Sequence, residues 1–202
     1  MQISPNYFCS NWIDLNLNKR FSENWRKGAD IVHDRIYGRY LAQIEVLEEH
    51  LDSAIWLYSG FLIMAVDCMV IETLNQFYFG LENTNEKYYR ENWKSFRDFF
   101  ARSEFFKNDF DDDKAKIFYE HIRNGLLHQA QTKEKSLINI KFPSMVTPVN
   151  PAKLFDGIII NREIFHKALL KEFERYINDL RTDKDEFDDL RQKCIDKMGT
   201  IC

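Results

Sequence analysis

Arg123, Asn124 and His128 stand in one short stretch, Arg-Asn-Gly-Leu-Leu-His, that brings together groups able to hold a phosphate and to move a proton. An arginine offers permanent positive charge and parallel N–H donors that match two oxygens of a phosphate. A histidine exchanges protons near neutral pH. RNA can be cut by these two functions alone, without a metal ion, because its 2'-hydroxyl is an internal nucleophile already held beside the phosphorus. His128 would then act as general base or acid and Arg123 would stabilise charge on the phosphorane. Asn124, one turn before His128, could orient the imidazole or hold the substrate. On a helix, two residues five apart differ by about 140° in direction, so Arg123 and His128 converge on one ligand only by straddling it.

Two helices must position these residues. The first spans 111–131: Asp111, Asp112 and Asp113 supply an N-cap and first-turn acids, and no proline intervenes before Pro143. Ala115, Phe118, Tyr119, Ile122, Leu126 and Ala130 share one apolar sector that faces a core. His121, Asn124 and His128, spaced i, i+3, i+7, fall on the opposite sector and line one wall of a cleft, with His121 either an auxiliary group or a plain surface histidine. Arg123 lies at the edge of the apolar sector, where a permanent cation needs a carboxylate, a phosphate or an open rim. The second helix runs from Ala54 through the most apolar stretch of the chain to Phe79 and ends at Gly80. Its apolar part approaches the length of a membrane span, but Asp67 and Glu72 are costly in lipid and no Lys/Arg cluster adjoins it. A helix buried in the centre of a domain is expected instead. Asp67 and Glu72 are the carboxylates this helix offers to Arg123; Glu72, nearer the helix end where substrate would enter, is preferred.

Arg123-Asn124 followed by His128, on a helix toward the C-terminal side of a helical domain with a long apolar helix upstream, resembles the HEPN superfamily. Its ribonucleases carry Arg, a polar residue and then His four to six positions beyond the Arg. The resemblance covers about residues 17–181 and implies an all-α, HEPN-like helical bundle. It implies a metal-independent endoribonuclease in which Arg123, Asn124 and His128 are catalytic and Glu72, Asp67 and His121 supporting. Family nucleases pair their motif helices across a homodimer, which implies a symmetric dimer with a composite site and products ending in a 2',3'-cyclic phosphate and a 5'-hydroxyl. The resemblance also supplies the setting, a prokaryotic stress or phage-defence role of toxin type, restrained by an antitoxin or regulatory protein. The branch with a tyrosine two residues after the motif histidine is not matched, since that position is Ala130. Two other readings stand beside the nuclease: a catalytically silent nucleotide- or protein-binding module, and a helical scaffold in which Arg123 and His128 only close local salt bridges.

The rest of the chain sets the frame. At 202 residues, with 17 Phe among 45% hydrophobic residues, it can bury one substantial core. Only 7 Gly and 4 Pro favour long helices over an all-β fold. A net charge of -4 disfavours wrapping nucleic acid, so an RNA site must be a local patch. Lys87, Arg90, Lys94, Arg97, Arg102 and Lys107, interleaved with aromatics, could supply that patch or a solvated helix face. Cys9, Cys68, Cys194 and Cys202 show no CxxC pairing, and no Cys/His cluster suggests a metal or other cofactor. With no basic-then-apolar leader at the N-terminus, a reduced cytoplasmic protein is expected, without membrane attachment. Residues 1–16 read as an arm, 17–181 as the helical domain and 182–202 as an acidic helix. Ser136–Phe142 and Gly157–Asn161 read as two short strands, a small β-hairpin or an edge pair, separated by the proline-bearing segment 143–151. Asn161 then caps a helix carrying Phe165, Leu169, Phe173, Tyr176, Ile177 and Leu180.

Overall fold

The computed structural model describes all residues from Met1 to Cys202. It is mainly helical: nine helices and one small sheet. In chain order these are α1 (Cys9–Ile13), α2 (24–48), α3 (Ser53–Tyr58), α4 (Gly60–Phe79), α5 (Asn85–Tyr88), α6 (Trp93–Arg102), α7 (112–129), β1 (Leu137–Asn139), β2 (Val146–Pro148), β3 (Ile158–Asn161), α8 (Arg162–Arg181) and α9 (Asp188–Gly199).

The central helix is α4. Ile63, Met64, Cys68, Ile71, Leu74 and Phe77 along it are fully buried, and α6, α7, α8 and α9 all pack against it. By length and composition α4 could cross a membrane, with 56% of its apolar window buried inside the fold. It does not begin at Ala54. The chain breaks at Ser59 between α3 and α4, where Gly60 lets the Arg162 side chain lie across the backbone; a β-carbon there would meet Nη1 at 3.0 Å. At the other end Gly80 takes φ 68° and closes the helix as expected, its N–H bonding the Gln76 carbonyl.

Two helices contain a π segment, α2 over Asp34–Leu41 and α7 over Phe118–Arg123. In α2 it includes Gly38, at a widened turn within one continuous helix. The N-terminal arm is more than an irregular strap: Ile3, Trp12 and Leu15 enter the core, and Trp12 meets Trp25 edge-on at 6.3 Å. The acidic C-terminal helix joins the same core through Cys194 and Met198, and its buried Arg191 donates to the carbonyls of Lys19, Thr182 and Lys184.

The two expected strands do pair, but in parallel rather than as a hairpin, and a third strand joins them, so a small sheet accompanies the mainly helical fold. β1 pairs with β3 in parallel, and β2, which lies in the proline-bearing segment 143–151, pairs with β3 antiparallel, giving the order β1-β3-β2. Pro148 is tolerated because β2 is an edge strand that need not donate on its outer side. The central strand is buried at all four positions, and Asn161 at its end caps α8 by accepting from the N–H groups of Glu163 and Ile164.

Candidate functional site

Helix α7 begins as its sequence suggests, with the Asp111 carboxylate accepting from the Lys114 N–H at 2.8 Å. It ends two residues early. Ala130 adopts φ 52° and the chain folds back across the helix, with Lys133 N–H donating to the His121 carbonyl at 2.9 Å. That crossing is possible because Gly125, in the middle of the motif, has no β-carbon to obstruct Gln131 and Thr132. Ala115, Phe118, Ile122 and Leu126 are buried as the apolar sector requires, whereas Ala130 lies past the helix end and is exposed.

Arg123 is held by two neighbours. Its Nη2 donates to both Glu72 oxygens, at 3.1 and 3.0 Å, and its Nη1 donates to Asn124 Oδ1 at 3.1 Å. The guanidinium also rests over the Tyr119 ring at 5.4 Å, and its Nε is buried without a partner. Arg123 and Glu72 side chains retain 18% and 17% exposure, so one edge of the pair is open to a ligand. Of the two candidate carboxylates, Glu72 is the one that meets Arg123. Asp67 lies on another face of α4, wholly buried, with Oδ1 2.8 Å from His166 Nδ1.

His128 is exposed on the last turn of α7 and makes no hydrogen bond or ion pair within the chain. Five residues of helix separate it from Arg123 by about 7.5 Å along the axis. Asn124 is half-buried between them, its oxygen turned to Arg123 rather than to the imidazole.

His121 departs from the expected arrangement. It does not line a wall with Asn124 and His128, but is buried at 9% exposure beneath the returning loop, with Nδ1 3.1 Å from Ser136 Oγ. Burial pushes its imidazole below the usual histidine range. The reason is the π segment: a π turn holds more residues than an α turn, so a 3.6-residue count across Phe118–Arg123 assigns the wrong face.

Half of the six cations of the basic stretch are paired with carboxylates. Lys87 and Arg97 pair with Asp98, and Lys94 pairs with Glu91. Arg102 stacks on Tyr78 and Phe79, and it, Arg90 and Lys107 are the three cations of the stretch with no carboxylate partner.

Other polar groups inside the fold escaped the reading of the sequence. Glu172, fully buried, accepts from Tyr78 Oη, Ser103 Oγ and Arg175, a network with both carboxylate oxygens satisfied. His166 partners Asp67; hidden in the apolar stripe of α8, it was signalled only by the need of a carboxylate inside an apolar helix for some donor. Burial alone would depress the His166 imidazole, yet the hydrogen bond to Asp67 holds it above the usual histidine range, while burial raises the Asp67 carboxyl. No three His, Cys, Asp or Glu side chains come together as a metal-binding group. Compared with protein-family models, with curated proteins and with solved structures, the chain matches none.

Proposed function

We propose that this protein is a HEPN-like, metal-independent endoribonuclease acting through Arg123 and His128. The observation that carries the reading is the contrast between the two: an arginine clamped by a carboxylate with one edge open, and an unpartnered histidine exposed on the next turns of the same helix. In this reading Glu72 and Asn124 fix the guanidinium so that its free N–H groups meet a non-bridging phosphate oxygen without reorganisation. His128 accepts the proton of the 2'-hydroxyl as that oxygen bonds to phosphorus. The bond from phosphorus to the 5'-oxygen breaks, and the departing oxygen takes a proton from a second acid, leaving a 2',3'-cyclic phosphate and a 5'-hydroxyl.

One histidine cannot serve both sides of an in-line displacement, so the reading includes a homodimer in which the partner subunit's His128 is the second acid. A stripe on α4 supports a second copy. Leu62 is 55% exposed, Val66 and Met69 are half-buried, and the stripe leads along the helix to Glu72. A row of apolar side chains that meets the Arg123 clamp is suited to an isologous contact placing two motif helices side by side. The cytoplasmic setting, the defence or stress role and a restraining partner protein belong to the same proposal.

The clamp itself favours one rival. An arginine whose Nη2 is committed to Glu72 is also what a purely structural pair requires, so the scaffold reading keeps a specific basis.

The deciding experiment is cleavage of structured and unstructured RNA in EDTA by wild type, His128→Ala and Arg123→Ala, with the ends analysed. Cutting that persists in EDTA, leaves 2',3'-cyclic phosphates and is lost in both variants while their folds persist supports the nuclease. Absence of cutting by folded, dimeric wild type across a broad RNA panel rejects it.

A further inference from the structure

A second polar site lies away from Arg123, between the C-terminal end of α2 and the first turns of α8. A cavity of about 320 Å³ opens there, walled by Glu45, Glu48 and Glu49 on one side and by Glu163, His166 and Leu170 on the other. Glu45, Glu48 and Glu49 follow i, i+3, i+4 spacing, and Glu163, His166 and Leu170 follow i, i+3, i+7, so each helix turns one face to the cavity.

The negative charge of this cavity is not balanced from within. Glu45, Glu49 and Glu163 have no cationic side chain within 4.0 Å, and Lys167, which also lines the cavity, pairs with none of them. Glu48 has only Arg162, whose Nε stands 3.6 Å from Oε1, too far for a hydrogen bond; that oxygen is buried and unpartnered. The Arg162 Nη atoms are turned elsewhere, to Ser59 Oγ and the Trp56 carbonyl. Glu45 is held in place by the Tyr37 hydroxyl, which donates to Oε2 at 2.5 Å.

His166 is the independent sign that the cavity takes a ligand. Its side chain is 4% exposed, its Nδ1 is engaged by the wholly buried Asp67, and its Nε2 has no partner. A buried polar atom left unsatisfied forfeits the hydrogen bond it had in water, so one at the wall of a cavity asks for an occupant. With the Nδ1 proton shared toward Asp67, Nε2 presents a lone pair to an incoming N–H once its own proton has left.

We propose that this cavity binds a small aliphatic polyamine, with one ammonium group between Glu48 and His166 Nε2 and the next among Glu45, Glu49 and Glu163. Several carboxylates spread along a groove match charges separated by methylenes better than they match a single point charge. Leu170 supplies the apolar contact for the chain between them. A divalent metal fits less well, because no three His, Cys, Asp or Glu side chains converge as ligands. The inference does not depend on the nuclease reading, since none of its groups belongs to the Arg123 clamp.

The test is calorimetric titration of the full chain at pH 8 with spermidine, putrescine, monobutylamine and, separately, Mn²⁺ and Zn²⁺. Spermidine is expected to bind saturably and more tightly than monobutylamine. Glu48→Gln and Glu163→Gln, checked for wild-type circular dichroism and melting, should each weaken spermidine binding about tenfold or more, as loss of a charged hydrogen-bond partner implies. Lys107→Gln, remote from the cavity, controls for general charge effects. Absence of saturable spermidine binding, equal affinity in the Glu48 and Glu163 variants, or saturable binding of a divalent metal in place of the amines would each overturn the proposal.

Discussion

Replacing Gly125 by alanine tests whether the returning loop is locked onto the motif helix by bare backbone contact. A β-carbon at Gly125 would stand 2.4 Å from the Gln131 carbonyl oxygen, with Lys133 N and Thr132 Cα each at 3.2 Å, against an ordinary contact range of 3.4–4 Å. All three neighbours are backbone, so no side-chain rotation gives relief. The crossing chain must retreat by about 1 Å, which takes overpacking strain of about 1–3 kcal/mol. The same retreat weakens the Lys133 to His121 backbone bond, worth about 1 kcal/mol, and Ala gains back about 1 kcal/mol of helix propensity over Gly. The net loss is about 2 kcal/mol, which for a chain of this length lowers the melting midpoint by about 4–8 °C. Gly199→Ala is the control, because a β-carbon there meets nothing within 4 Å. Thermal unfolding of the two variants and wild type decides the matter. A Gly125→Ala midpoint equal to wild type would mean that the loop is not seated on the helix as described.

Glu72→Gln removes the countercharge of a pair that still touches water, so unfolding in urea should show a loss of about 1–2 kcal/mol, less than the value for a fully buried pair. An unchanged midpoint would place Arg123 and Glu72 apart in solution. The buried His121 gives a pH signature. Its imidazole is depressed in the folded state, so the unfolded chain takes up the proton first on acidification; the stability His121 contributes is present above the ordinary histidine pKa of about 6.5 and lost as pH falls below it. The melting difference between wild type and His121→Asn should therefore shrink from pH 7.5 to pH 5. A constant difference would count against a buried neutral imidazole.

Much of the scaffold around the candidate site could be read from residue order. A long apolar run over α4, regular periodicity over α8, a glycine at the end of α4, an asparagine before α8 and an aspartate before α7 are local signals, and each operates locally in the fold. The pairing of Glu72 with Arg123 followed from scarcity, since the apolar helix offers only two carboxylates. Where the reading failed, the cause was not local. His121 was misplaced because nothing in Phe118–Arg123 announces a π segment, which depends on the loop that takes up the His121 carbonyl. The sheet was misjudged because a parallel pairing of β1 with β3 is decided by tertiary contact, and the proline in β2 argued against a strand. The cavity beside His166 is assembled from helices more than a hundred residues apart in sequence, so no spacing rule could reveal it.

The π segment of α7 makes the interval from Asp111 to Arg123 a ruler with one division too many. Removing a single residue from Phe118–Arg123 would let the backbone close ordinary helical bonds, and the chain would still fold its cap and its buried phenylalanines. Everything downstream would keep its direction, because the π segment already absorbs the extra residue; wound as ordinary α-helix at its full count, the same interval would turn the rest by about 100° about the axis, carrying the guanidinium off Glu72 and presenting His128 to a different neighbour. Two chains could thus share the same six-letter motif, the same helix and the same core, and differ in whether the motif is aimed at anything, by how the residues that precede it are wound.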